Sequence, residues 1–135
     1  MSENQNVALL YRVVEDIWNG AELGAADALF APAYINHGGL IPDLVRGPEA
    51  IKISVALYRT AFPHLHITIE HVIAEKDLTA VHWTAHREGS AHLTGLGGTE
   101  GRGTVTGMTF FRVAGSRIVE SWTNWDTAGM LSDLP

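Results

Sequence analysis

The chain has 135 residues, 46% of them hydrophobic, with no cysteine and a net charge of −6 at neutral pH. That length and apolar content suit one domain, residues 1–135, with a core that needs no staples, and the missing thiols exclude disulfides, cysteine nucleophiles and cysteine-ligated metal centres. An acidic balance without a Lys/Arg cluster leaves no electrostatic footprint for nucleic acid or an anionic membrane surface, and no apolar run approaches the roughly 20 residues of a bilayer span.

Met1 to Asn6 lacks the basic start and apolar stretch of a secretory signal, so a cytoplasmic location is the default expectation. Val7, Leu10, Tyr11, Val14, Ile17 and Trp18 then recur at helical spacing and predict an amphipathic helix from about residue 5 to 18, stopped by Asn19-Gly20. A second helix from about 22 to 30 carries Leu23, Ala26, Leu29 and Phe30, and Pro32 ends it. Ala33 to Asn36 reads as a short extended piece, and His37-Gly38-Gly39 through Pro42 as a loop able to form a lid. Gly47-Pro48-Glu49 opens a third helix, with Ile51, Val55, Tyr58 and Phe62 on its buried stripe and Pro63 after it. From there the period becomes two. His66 to Ile73, Leu78 to Arg87, Thr104 to Val113 and Arg117 to Trp125 read as four strands. Glu75-Lys76-Asp77 and Ala114-Gly115-Ser116 join them as hairpins, while the glycine-rich segment Gly89 to Gly103 reads as a long crossing or irregular strand.

Helices first and a meander of strands afterwards predict an α+β layer arrangement, three N-terminal helices packed on a curved, mostly antiparallel sheet that forms a cone. On the third strand, Val105, Gly107, Thr109, Phe111 and Val113 are assigned to the interior. On the fourth, Val119, Ser121, Thr123 and Trp125 are assigned inward, because the other faces of the two strands carry Arg112, Glu120 and Asn124, alongside Ile118 and Trp122. Trp122 then lies outside, where a second copy could cover it. Aromatic walls with sparse polar groups are what a small-molecule pocket needs. The predicted lining is Trp18, Tyr34, Asn36, Tyr58, Phe62, Trp83, Thr109, Phe111, Ser121, Thr123 and Trp125.

Several motifs in this order resemble the SnoaL-like polyketide cyclases, a branch of the nuclear transport factor 2-like superfamily: Trp18-Asn19-Gly20, Tyr34-Ile35-Asn36-His37, Arg46-Gly47-Pro48-Glu49, Ala61-Phe62-Pro63, Ile73-Ala74-Glu75 and Trp122 to Leu134. The resemblance implies an interior site, a homodimer and no cofactor. It also implies ring closure by aldol condensation, with an aspartate near the end of the last strand as acid/base. In this sequence that position falls at Thr123, whose hydroxyl cannot act as a proton acceptor near neutral pH. The family's histidine and glutamine fall at Thr109 and Gly107, and its asparagine is kept as Asn36.

Three side chains are candidates for the missing base. Asp126 either turns into the mouth of the cone or caps a terminal helix over Thr127 to Leu131, where backbone N–H groups would lower its pKa. His37, beside Asn36, has an imidazole suited to proton exchange at cellular pH but is equally readable as a loop histidine bonded to local backbone. His71 shares a strand face with Ile67, Ile69 and Ile73, directed toward the interior, either as a base or as a satisfied core histidine. His82 and His86 face outward, about 13 Å apart at about 3.3 Å per residue, too far for one ion, and no metal site is expected. The functional expectation is acid/base chemistry on an apolar, polyketide-like ligand, as aldol closure, isomerisation or hydration. The competing expectation is a binding or accessory protein on the same frame, favoured if neither His37 nor His71 faces the cavity.

Overall fold

Ser2 opens the first helix through a capping box: its hydroxyl accepts from the Gln5 N–H, and the Gln5 side chain accepts from the Ser2 N–H, so two donors at the helix start are satisfied. In the computed structural model, which describes residues 2–38, 45–86 and 103–125, α1 (Glu3–Arg12) runs directly into a π-helical segment, Val13–Asn19. A π turn bonds i to i+5, which brings Val13 and Trp18 to the same inner side. Asn19 then clips the helix end to the sheet. Its Nδ2 donates to the Ile67 carbonyl at 2.9 Å and its Oδ1 accepts from the Ile67 N–H at 2.7 Å.

The second helix is shorter than its apolar spacing predicts. A 3₁₀ turn, Leu23–Ala25, leads into α2 (Ala26–Leu29), and Phe30 already begins β1 (Phe30–His37). Pro32 therefore lies inside a strand and does not end a helix. It is tolerated because β1 is an edge strand, where a missing N–H need not break a ladder bond. Helix α3 (Pro48–Ala61) starts at Gly47 with proline in its first turn, as expected. Arg59 on α3 ties three segments together, its Nη1 donating to the carbonyls of Trp18 and Leu65, each at 2.9 Å.

Strands β2 (His66–Glu75), β3 (Leu78–His86), β4 (Thr104–Ala114) and β5 (Arg117–Trp125) complete one five-stranded sheet in the order β1-β5-β4-β3-β2. All neighbours are antiparallel except β1 and β5. The β4–β5 hairpin turns at Gly115 and Ser116, with φ of 58° and 65°, the positive pair that matches strand twist in a tight hairpin. The glycine-rich segment up to residue 102, Arg87, and everything after Trp125 lie outside the described residues.

Two irregularities in pairing bend the sheet and reset which residues face inward. In β5 the register slips so that Arg112 pairs with Glu120 while Val113 pairs with Ile118. Ile118, assigned outward by strict alternation, is thereby buried in the core, and Val119 is displaced from it. Beyond the slip the expected alternation resumes, with Ser121, Thr123 and Trp125 inward. In β2 the slip falls between Ile69 and His71. The helices cover the concave side, where Leu10, Val13, Ile17, Phe30, Tyr34, Val55 and Ile118 are fully buried; each such side chain contributes about 1.5–3 kcal/mol. Tyr11, placed on the buried stripe by its spacing, is exposed. Among the described residues no helix is long and apolar enough to cross a membrane.

Candidate functional site

Between the concave face and the helices lies a cavity of about 600 Å³, within the usual range for a small-molecule site. Its apolar walls come from the π-helical segment (Val13, Val14, Trp18), from α3 and the turn after it (Ile51, Tyr58, Phe62), and from the strands (Val81, Phe111, Trp125). Trp18 and Tyr58 meet with centroids 5.9 Å apart, and Tyr58 meets Trp125 edge-on at 6.4 Å. The eleven residues expected to line a pocket all border this cavity.

Polar atoms enter the cavity in two short relays. In the first, Ser121 Oγ donates to Asn36 Oδ1 at 3.3 Å. The Ser121 proton is thereby committed, so the Tyr34 hydroxyl, 2.6 Å away, donates to Ser121. Burial pushes the Tyr34 phenol up to about 12, against a smaller opposing effect of its bond to Ser121. Burial also raises Tyr58. Both phenols are therefore neutral at cellular pH. In the second relay, Trp83 Nε1–H donates to Thr109 Oγ1 at 3.0 Å, and Thr109 Oγ1 lies 3.0 Å from Thr123 Oγ1. Thr109 and Thr123 are direct cross-strand partners, and Trp83 is paired with Gly107.

Gly107 explains how Trp83 reaches Thr109. A Cβ built at Gly107 would run into the Trp83 ring, so only glycine lets the indole lie across β4. Position 107 was recognisable as inward-facing, but its function as a seat for Trp83 was not, because it depends on which residue of β3 lies opposite. Ser54 is a second residue that sequence reasoning missed. It borders the cavity from α3, is 4% exposed, and its Oγ has no hydrogen-bond partner among the described residues. A serine in the middle of an apolar helical stripe was the available signal.

The candidate histidines are not on this wall. His37 follows Asn36 in β1, and neighbouring residues of a strand point to opposite faces. The backbone turns only after it, so His37 lies on the outer face, its Nε2 3.0 Å from Glu120 Oε2 and its ring stacked on Trp122 at 5.3 Å. His71 is also outside. The register slip after Ile69 reverses the alternation, leaving His71 exposed with its Nδ1 3.2 Å from that of His82, and Ile73 70% exposed. Asp126 lies outside the described residues. Among those residues, no group of three or more His, Asp or Glu side chains is arranged to hold a metal ion.

The sequence matches the family model of the SnoaL-like polyketide cyclases over residues 8–134, and the chain belongs to that family. A search among curated proteins returned no match. Solved structures similar to this chain include IdmH from Streptomyces antibioticus, a proposed polyketide cyclase. It is 25% identical, with 94% of this chain and 96% of IdmH covered and a TM-score of 0.80. A proposed polyketide cyclase from Acidithiobacillus ferrooxidans is 22% identical, with coverages of 99% and 97% and a TM-score of 0.84. AclR from Streptomyces galilaeus, a proposed hydroxylase, is 21% identical, with coverages of 99% and 89% and a TM-score of 0.78. The last two likenesses are of fold alone.

Proposed function

We propose that this protein binds an apolar, polyketide-like small molecule in the cone and orients it with neutral hydrogen-bonding groups. The observation that carries this reading is the composition of the cavity wall: aromatic and aliphatic side chains interrupted by hydroxyls and one amide, with both candidate histidines on the far side of the sheet. Apolar burial supplies affinity and the polar atoms select a pose. Native mass spectrometry against a panel of aromatic polyketides tests it. Retention of at least one member, lost on Trp125→Ala, is expected; no retention by the folded protein overturns it.

A second reading is turnover of the same ligand by proton transfer, as aldol closure, isomerisation or hydration. Membership of a cyclase family over residues 8–134 favours it. Thr109 and Thr123 cannot serve as bases near neutral pH, so this reading draws on Asp126. Turnover abolished by Asp126→Asn with ligand retention intact would establish it, and equal turnover in the variant would remove Asp126. As to assembly, two copies would pair through the outer face, where Met108 and Phe110 are 59% and 50% exposed. Sedimentation equilibrium is expected to give a dimer that Phe110→Lys dissociates.

A further inference from the structure

We infer that the outer face of the sheet carries a site for a copper(I) ion, held by the imidazoles of His71 and His82 and by the thioether of Met108. The site is separate from the cavity and does not depend on what the cavity binds. Strand pairing sets the three side chains in one row. His71 is the cross-strand partner of His82, and His82 is the partner of Met108, so they stand on adjacent strands about 5 Å apart and point to the same side. The row exists because of the slip in β2 between Ile69 and His71, which turns His71 away from the core and sets it opposite His82. Along β3 the next histidine, His86, is too distant to share an ion with His82. Across the sheet the partner is adjacent.

The two imidazoles already have nearly the separation of a chelating pair. Their Nδ1 atoms are 3.2 Å apart, with the ring planes within 10° of parallel. Metal–imidazole bonds of about 2.0–2.1 Å place two nitrogens about 3.3–3.5 Å apart around a three- or four-coordinate ion. In the hydrogen-bonded pair one ring's N–H donates to the other ring's Nδ1. With both protons on Nε2 instead, both Nδ1 lone pairs are free, and a turn of each ring aims them at one point above the sheet. His71 is exposed and His82 half-buried, and neither makes another hydrogen bond among the described residues, so the turn breaks nothing else. No third histidine or carboxylate completes the set among those residues. The third donor is Met108, 59% exposed, whose unbranched, flexible side chain spans the one strand spacing to an ion beside His82. Its sulfur decides the metal. A soft, neutral thioether next to two imidazoles favours copper(I) among the first-row ions.

The test is anaerobic competition for copper(I) between the full chain and the chromogenic chelator bicinchoninic acid, followed by copper-edge X-ray absorption of the loaded protein. One copper(I) per chain is expected, with two nitrogen scatterers and one sulfur. All three donors come from one chain, so this ratio holds whether or not copies pair through the same face. His71→Ala and His82→Ala are each expected to weaken copper(I) binding by at least about tenfold, since losing even an outer partner of a metal ligand costs that much. Met108→Leu, which conserves volume, is expected to weaken it by a similar factor and to remove the sulfur scatterer. His66→Ala is the control. Its ring lies 6.5 Å from that of His86 between centroids, on the same face but outside the row, and its loss is expected to leave copper(I) affinity unchanged. Circular dichroism of each variant checks that the fold is kept. No copper(I) uptake against the chelator, no sulfur in the absorption spectrum, or an equal loss in His66→Ala overturns the inference.

Discussion

On the inner face of β4 and β5 the side-chain hydroxyls are those of Thr109, Ser121 and Thr123: Thr109 and Thr123 bond each other, Thr109 also accepts from Trp83, and Ser121 bonds Tyr34. On the outer face of the same two strands the charged groups are Arg112 and Glu120: Arg112 pairs with Asp77 at 3.0 Å and with Glu120 at 3.4 Å, His37 lies 3.0 Å from Glu120, and Trp122 sits between the His37 ring and the Arg112 guanidinium. Both faces are aromatic, so hydrophobicity does not separate them. Desolvation does. A charge on the enclosed face would need a buried partner, whereas on the outer face water and opposite charges are at hand. Among the described residues, the histidines and the charged side chains therefore lie away from the cavity, and the polar groups on its wall are hydroxyls, one amide and indole N–H groups.

The largest expected effect tests the boundary between the two faces. Ile118→Ala should cost about 2–5 kcal/mol in a denaturant titration, as truncation of a core side chain does, whereas Val119→Ala should cost less than about 1 kcal/mol. Equal losses would mean that the slip in β5 is absent. The next concerns the buried phenol. Tyr34 has a folded pKa of about 12 against a usual 10.0, so the unfolded chain ionises first as pH rises. Its contribution is whole below pH 10 and is lost as pH climbs toward 12, a decline of about 3 kcal/mol at about 1.4 kcal/mol per unit. Melting measured from pH 9 to 12 should follow that decline, and Tyr34→Phe should flatten it.

Gly107→Ala probes the seat of the indole. Its new Cβ would run into the Trp83 ring, so a loss of about 1–3 kcal/mol is expected from overpacking, with a shift in tryptophan emission. The smallest effect belongs to the outer face. Glu120→Gln removes the partner of a His37 imidazole that is 33% exposed, and surface pairs of this kind contribute about 0–1 kcal/mol. Ligand retention should not change. If it does, the outer chain of charges is coupled to the cavity through β1 and the separation of the faces fails.

Much of this was legible in the chain because alternation is a local property. Val105 to Val113 repeats with period two, and each of its odd positions is buried. Thr109, Ser121, Thr123 and Trp125 could be assigned to a cavity for that reason. His71 and Ile118 could not, since each lies next to a slip in register, and a slip is a relation between two strands that neither sequence segment carries alone. The same holds for β1. Phe30 to Pro32 looks like the end of a helix, and only its place at the sheet edge beside β5 makes it a strand.

Residue order alone determined the layer arrangement, the bounds of most strands and the membership of the apolar wall, because these follow from period and spacing along the chain, and its motifs carried the resemblance to the family. Tertiary structure decided which polar groups meet. The Trp83–Thr109–Thr123 relay joins residues from three strands, and its existence depends on a glycine lying opposite a tryptophan. His37 stands beside Asn36 in sequence, yet the two serve opposite faces. Their separation rests on the pleat of a strand docked in parallel on β5, a fact of pairing that composition and motif leave open.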